Sequence, residues 1–166
     1  MTSTLRIGAL ISGGGTNLQA VIDACEAGQT GGQVVFVGSD NPAAKGLQRA
    51  ARHGIPSFVV DYGAIIRRYR QDPAGFRGPA DFDPEEVRGK SRLFDPDSDS
   101  AVVAAFIATR AAAEAELLAA MAPYDFDLLI LAGFMRNLTP YFIDRVNTTA
   151  DRPRIMNIHP ALLPAF

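Results

Sequence analysis

Residues 5–20, "LRIGALISGGGTNLQA", constrain the fold of this chain more than any other stretch. The segment LRIGALI (5–11) has the length and apolar continuity of a buried strand, and three glycines follow directly after Ser12. From Asn17 onward, apolar residues recur at the spacing of a helix. A strand, a glycine turn and a helix in this order predict a βα unit, in which the turn collects backbone N–H groups at the start of the helix.

The alternation of strands and helices continues along the chain. Asn41 followed by Pro42 has the chemistry of a helix N-cap and first helical residue. Because strands that are joined through helices run parallel, with right-handed crossovers, we predict an α/β fold: a doubly wound, Rossmann-like, mostly parallel sheet. The predicted strands are 5–11, 33–39, 55–60, 126–133 and 154–159, and the predicted helices are 17–25, 42–53, 100–122 and a short one from Thr139-Pro140.

Residues 61–100 interrupt this pattern. They are dense in charged residues and are broken by four prolines, and no hydrophobic period extends through them. We predict an insertion that is mostly loop, with a short helix around "AIIRRY". The whole chain, 1–166, is of a length that favours a single domain carrying this insertion.

Composition excludes several classes of function. A formal net charge of -2 provides no basic surface for a nucleic acid. Cys25 is the only cysteine, so neither an intramolecular disulfide nor a cysteine-based zinc cluster can form. The apolar run near the N-terminus is too short to span a membrane and lacks a signal-peptide cleavage pattern. We therefore expect a cytoplasmic protein that binds small molecules, without a metal, nucleic-acid or membrane partner; the sequence does not predict its oligomeric state.

The glycine turn is a candidate anion site. A dinucleotide fingerprint would need glycine where Leu18 stands, and the Gly-Lys-Ser/Thr of a P-loop is absent. The remaining functional interpretation is a phosphate held by backbone N–H groups and by the side chains of Thr16 and Asn17. The alternative is a purely structural turn, in which Gly15 adopts a positive φ and Thr16 or Asn17 caps the helix.

Asn157 and His159 mark the end of the last predicted strand. Ligands of doubly wound sheets bind at the carboxyl ends of the strands, and residues two apart in a strand point to the same face. An amide donor and an ionisable histidine directed at one point suit the oxyanion of acyl transfer. Alternatively, both side chains hydrogen-bond the backbone of a loop. His53, at the end of a predicted helix, has a structural explanation in the helix dipole.

The loop "LAGFMRNLTP" (131–140) lies at the same predicted edge of the sheet. Phe134, Met135 and Arg136 could form a wall for a flat heterocyclic ligand, or the loop could simply pack on the insertion. Arg110, on the long helix, could bind the anionic end of a ligand or remain an ordinary exposed arginine.

Three motifs, "ISGGGTNLQA", "LAGFMRNLTP" and "MNIHPALLP", occur in this order. Together they resemble those of the phosphoribosylglycinamide formyltransferases, folate-dependent enzymes of purine biosynthesis with a formyltransferase fold. The last motif also resembles methionyl-tRNA formyltransferase and formyltetrahydrofolate deformylase, whereas the first favours the glycinamide ribonucleotide enzymes. The resemblance implies that a formyl group passes from 10-formyltetrahydrofolate, as co-substrate, to the amine of 5-phosphoribosylglycinamide.

The resemblance also implies roles for particular residues. It makes Asn157 and His159 the catalytic pair, and it places an aspartate that raises the histidine pKa beyond the point where this chain ends. It therefore predicts a C-terminally truncated member of the family. The alternatives are a substrate-binding module without activity and a related folate-dependent formyltransferase, such as methionyl-tRNA formyltransferase. The implied substrate-binding residues are Gly15, Thr16 and Asn17, and the implied formylfolate contacts are Arg110, Met135, Arg136, Asn137, Leu138 and Asn157.

Overall fold

The computed structural model describes residues 4–91, 94, 97–149 and 151–157. Five strands form one sheet in the order β3-β2-β1-β4-β5, and every pair of neighbours is parallel. The predicted α/β, doubly wound fold class is confirmed. The strands are β1 (Leu5–Ile11), β2 (Gly32–Ser39), β3 (Ser57–Val59), β4 (Leu128–Leu131) and β5 (Ile155–Asn157). The helices are α1 (Thr16–Glu26), α2 (Gly46–Arg52), α3 (Tyr62–Gln71), α4 (Pro84–Lys90), α5 (Ser100–Met121) and α6 (Pro140–Val146).

Strand β1 lies at the centre of the sheet and is buried on both faces, as a parallel strand covered by helices must be. Ala9 and Ile11 face a core that includes Leu18 of α1. Leu10 faces the opposite core, which includes Leu117 of α5 and Phe142 of α6. The continuous apolar run of β1 in the sequence follows from this two-sided burial.

The prediction that residues 61–100 are mostly loop is wrong in part. The expected short helix is present as α3, but α4 was not predicted. Asp83 caps α4, since its Oδ1 accepts hydrogen bonds from the N–H groups of Glu85 (2.9 Å) and Glu86 (3.2 Å), and Pro84 is the first helical residue. Lys90, in the last turn of α4, forms an ion pair with Asp144 of α6 at 3.2 Å.

The predicted start of α2 at Pro42 is also wrong, because the helix begins at Gly46. The side chain of Asn41 accepts a hydrogen bond from Ala43 N at 2.9 Å and so stabilises a local turn instead of capping the helix. His53 does stand at the C-terminus of α2, where its Nδ1 lies 2.7 Å from Glu26 Oε1.

Several predicted strands are longer than the observed ones. The structure has Ser57–Val59 for 55–60, Leu128–Leu131 for 126–133 and Ile155–Asn157 for 154–159, of which 158 and 159 lie outside the described residues. Across the described ranges, no helix is both long enough and apolar enough to cross a membrane.

Candidate functional site

Two loops at the carboxyl edge of the sheet are joined through Ser12, the residue after β1. The N–H of Ser12 donates a hydrogen bond to the carbonyl of Gly133 at 3.2 Å. Its hydroxyl accepts one from the N–H of Met135 at 2.8 Å. The turn after the central strand and the loop after β4 are therefore held together directly, at the position where doubly wound sheets bind ligands.

The glycine turn is held from behind by α2. Gly46 N donates to the carbonyl of Gly13 at 3.0 Å, and Arg49 Nε donates to the carbonyl of Gly14 at 2.8 Å. Gly15 has φ +71°, and a Cβ at this residue would lie 2.6 Å from the Cα of Gly46. Both the backbone conformation and the close packing against α2 require glycine at this position.

The front of the turn is open. Gly13 and Gly14 are exposed, and within the described part of the chain their N–H groups donate no hydrogen bond. The N-cap position of α1 is Gly15, with no side-chain cap. Gly15 thus has the positive φ of the structural alternative, but neither Thr16 nor Asn17 acts as the cap. Their side chains, exposed and half-buried respectively, lie in the first turn of α1 beside the open N–H groups.

The loop after β4 has some side chains in the core and others at the surface. Phe134 is buried and packs edge-on against Tyr62 of α3, with ring centroids 6.2 Å apart. This is the packing on the insertion that the structural alternative predicted. Met135 is 79% exposed, Asn137 is exposed, and Leu138 is half-buried against the core. Met135 is therefore the large apolar side chain of this loop that is free to contact a ligand.

Arg136 forms an ion pair with a buried carboxylate that the sequence analysis missed. Its Nε donates to Oδ2 of Asp40, whose side chain is 2% exposed. Asp40 directly follows β2, and its burial could not be foreseen because its partner lies 96 residues away in the sequence.

Arg110 is not the ordinary exposed arginine of the structural alternative. It is half-buried on α5, with its Cζ 4.8 Å from the ring centroid of Phe106 and 5.0 Å from that of Tyr62. The Cζ of Arg136 lies 5.3 Å from the same Tyr62 ring. Two arginines named from the sequence are therefore brought together on one tyrosine. Burial lowers the pKa of Arg110 and raises that of Tyr62.

Glu114 is a second buried carboxylate that the sequence analysis did not single out. It is fully buried on α5 and accepts hydrogen bonds from Thr139 N (2.7 Å) and Thr139 Oγ1 (2.5 Å). Burial raises the pKa of Glu114 to about 7, although the bonds from Thr139 oppose this shift. Glu114 therefore anchors the C-terminal end of the 135–139 loop.

Asn157 ends β5, is exposed, and stands opposite Leu131, the last residue of β4. It thus lies one strand away from the loop of Met135. His159 lies outside the described residues. In the ranges that the structure describes, no group of three or more His, Cys, Asp or Glu side chains could hold a metal ion.

A five-stranded parallel sheet in the order 3-2-1-4-5, with a glycine turn after its central strand, defines a Rossmann-like α/β protein, a class whose members bind ligands at the carboxyl edge of the sheet. Residues 5–166 match the Formyl transferase family, and the chain belongs to that family.

Known proteins similar to this chain support the resemblance found in the sequence. The phosphoribosylglycinamide formyltransferase of Escherichia coli (strain K12) is 30% identical over 162 residues, which cover 98% of this chain and 54% of that protein. The trifunctional purine biosynthetic protein adenosine-3 of Chironomus tentans is 31% identical, over 97% of this chain and 8% of its own length. The chain thus spans about half the length of the bacterial relative.

A solved structure shows the same fold. Glycinamide ribonucleotide transformylase 1 from Symbiobacterium toebii is 32% identical and superimposes with a TM-score of 0.60, over 100% of this chain and 56% of that protein. The predicted resemblance to phosphoribosylglycinamide formyltransferases is confirmed.

Proposed function

We propose that the protein transfers a formyl group from 10-formyltetrahydrofolate to the amine of 5-phosphoribosylglycinamide, as a cytoplasmic enzyme of purine biosynthesis. Its similarity to enzymes that bear this name supports the proposal. The structural observation that carries it is the junction at Ser12, which joins the open glycine turn to the loop of Met135 and Arg136. Asn157 stands at the same edge of the sheet, one strand further along.

The glycine turn is suited to the phosphate of the acceptor substrate. Its open N–H groups at Gly13 and Gly14 precede the positive end of the α1 dipole. Gly15 gives the turn its shape, and the side chains of Thr16 and Asn17 add hydrogen-bond donors beside it. Phosphate at this position would extend the remainder of the substrate toward Asn157.

The reaction requires the acceptor amine to be neutral when it attacks the formyl carbon. A new carbon–nitrogen bond forms, and the formyl oxygen becomes an oxyanion. Asn157 donates a hydrogen bond to this oxygen. In the role implied by the family, His159 in its protonated form stabilises the oxyanion and assists proton transfer to the folate nitrogen. The bond from that nitrogen to the formyl carbon then breaks, and the attacking amine loses a proton. The products are the formylated amine and tetrahydrofolate.

The formylfolate lies, in this proposal, along the loop after β4. The exposed side chain of Met135 would contact its flat ring, and Asn137 and Leu138 would border it. Arg110 and Arg136 each place a guanidinium group over the ring of Tyr62, with Cζ atoms 5.0 and 5.3 Å from its centroid, and guanidinium groups bind carboxylates with good geometry. The two glutamate carboxylates of the folate are the ligand groups that match them.

The test is an acceptor-specificity assay on the purified protein. We expect 10-formyltetrahydrofolate and 5-phosphoribosylglycinamide to give tetrahydrofolate and the formylated amine in equal amounts, detected by mass spectrometry. Methionyl-tRNA and water are the comparison acceptors. Formylation of methionyl-tRNA, or release of formate without an acceptor, would reject the proposed substrate. Binding of 5-phosphoribosylglycinamide by calorimetry without turnover would favour the alternative of a substrate-binding module.

A further inference from the structure

Arg136 is held by two residues to which the proposed function assigns no role. Asp40 accepts its Nε–H, and Tyr62 lies against its guanidinium with 5.3 Å between Cζ and the ring centroid. Asp40 N donates to the carbonyl of Ile11 at 3.4 Å, and Tyr62 N donates to the carbonyl of Asp40 at 3.3 Å. The backbone of Asp40 is thereby fixed to the central strand on one side and to α3 on the other.

The buried charge of Asp40 favours contact with a cationic partner, which is Arg136. The Asp40 side chain is 2% exposed, and its Oδ1 is buried with no hydrogen-bond partner among the described residues. A carboxylate removed from water depends on an opposite charge nearby, and Arg136 supplies the hydrogen-bonded one. The side chain of Arg136 is therefore restricted to conformations in which Nε faces Asp40.

Tyr62 restricts the guanidinium from a second direction. It is the first residue of α3 and is 1% exposed, so its ring is fixed by the packing of the inserted segment. A guanidinium lying on an aromatic face is attracted by the ring quadrupole. The segment 61–100 thus contributes a wall of the candidate site through its first helix.

The rest of the guanidinium remains available. An arginine has five N–H donors, and Asp40 uses one, which leaves those on the two Nη atoms. In the described part of the chain, no residue accepts a hydrogen bond from them. Arg136 borders a cleft of about 510 Å³ that Ser12, Asn41 and Met135 also line. The side chain is 32% exposed, so its free edge is accessible from that cleft.

We propose that Asp40 and Tyr62 are positioning residues, which hold Arg136 so that its Nη donors bind a carboxylate of the folate co-substrate. This proposal rests on the proposed function and deepens it. Neither residue touches the reacting atoms, so the expected effect is on affinity for one substrate and not on the chemical step.

The kinetic test compares two co-substrates. Asp40→Ala should raise KM for 10-formyltetrahydrofolate at least about tenfold while changing kcat and KM for 5-phosphoribosylglycinamide less than about threefold. With the methylamide of 10-formyltetrahydropteroate, which has no carboxylate, the variant and the wild type should have equal KM values. An unchanged KM for the folate, or an equal rise for both co-substrates, would overturn the proposal.

Matched variants distinguish a loss of Arg136 positioning from a general loss of protein structure. Asp40→Asn keeps a hydrogen-bond acceptor but removes the charge, so it should restore only part of the lost affinity. Asp61→Asn alters another carboxylate of the same cleft, one paired with Arg67 at 3.7 Å, and should behave as wild type because asparagine still caps α3. Tyr62→Phe keeps the ring and should also retain the wild-type KM, whereas Tyr62→Leu should raise it.

A spectroscopic test does not require turnover. In nitrogen-15 spectra of arginine side chains, wild-type Arg136 should give a slowly exchanging Nε–H signal, assigned by its loss in Arg136→Lys. Asp40→Ala should abolish the slow exchange, and Asp40→Asn should retain it. A wild-type protein without this signal would overturn the positioning by Asp40, even if the enzyme is active. An inactive protein that keeps the signal would count against the proposed function while supporting the positioning.

Discussion

The carboxylate of Glu114 on α5 accepts two hydrogen bonds from Thr139, from its N–H at 2.7 Å and from its hydroxyl at 2.5 Å. Glu114 is fully buried and Thr139 is 1% exposed. Thr139 is the N-cap residue of α6, but its own side chain does not cap that helix. Glu114, from α5, thus binds the start of α6 and fixes the end of the loop that carries Met135 and Arg136.

Replacing Thr139 by valine should therefore destabilise the protein. Valine preserves the shape of threonine but removes the hydroxyl donor to a buried carboxylate, which should lower the free energy of unfolding by about 2 kcal/mol. Urea denaturation measures this change. Thr109→Val is the matched control, because Thr109 Oγ1 donates only to the carbonyls of Ala105 and Phe106 within α5. The decrease in unfolding free energy for Thr109→Val should stay below about 1 kcal/mol. Equal decreases for Thr109→Val and Thr139→Val would contradict the role of Glu114.

The raised pKa of Glu114 predicts a pH dependence of stability. Burial raises its pKa from 4.5 to about 7, so the folded state binds the proton more tightly than the unfolded state between these values. The contribution of Glu114 to stability should be greatest below about pH 4.5, should fall by about 3 kcal/mol up to about pH 7, and should be constant above that. The measurement is the difference in unfolding free energy between wild type and Glu114→Gln across this range. If the wild type instead became more stable relative to Glu114→Gln as the pH rises, the raised pKa of Glu114 would be contradicted.

Gly15→Ala should damage the glycine turn. Alanine would have to adopt φ near +71° with its Cβ 2.6 Å from the Cα of Gly46. We expect a loss of about 3 kcal/mol in unfolding free energy, and weaker binding of 5-phosphoribosylglycinamide in calorimetry. Gly13→Ala is the control for stability, because a Cβ there meets nothing within 4 Å and its φ is not positive. A stability change in Gly13→Ala as large as that in Gly15→Ala would show that the packing on Gly46 is not the cause.

Asn157→Ala tests the proposed chemistry. Removing a donor to an oxyanion lowers kcat by about a hundredfold or more, with a smaller effect on KM. Steady-state kinetics with both substrates measure this effect. Met156 is the neighbouring residue in β5 and is 51% exposed, so Met156→Ala should keep kcat within about threefold of wild type. A near-normal kcat in Asn157→Ala would remove Asn157 from the mechanism.

Sequence patterns predicted those features of the fold that depend on residues close together in the chain. The strand, turn and helix of residues 5–26 follow from local periodicity, and the positive φ of Gly15 follows from local sterics. The start of α2 could not be predicted this way, because Gly46 is placed by its contact with the glycine turn. Helix α4 did have a local signal, Asp83-Pro84, which the high density of charge around it obscured.

The buried carboxylates of the candidate site had no local signal at all. Asp40 and Glu114 are distinguished from surface acids only by their partners, which lie 96 and 25 residues away. The same holds for Tyr62, whose role as a support for two arginines depends on α3 meeting α5 and the loop after β4. Such groups become recognisable only when distant segments are brought together.

The central position of β1 determines when the candidate site can assemble. β1 and β2 are separated by one helix and can pair early during synthesis, but pairing with β4 joins segments as far apart as Arg6 and Asp127, 121 residues away in the sequence. Closing so long a loop is slow, and until β4 leaves the ribosome one edge of β1 has no partner. The Ser12 junction, and with it the candidate site, can therefore form only after β4 and the loop that follows it have been synthesised.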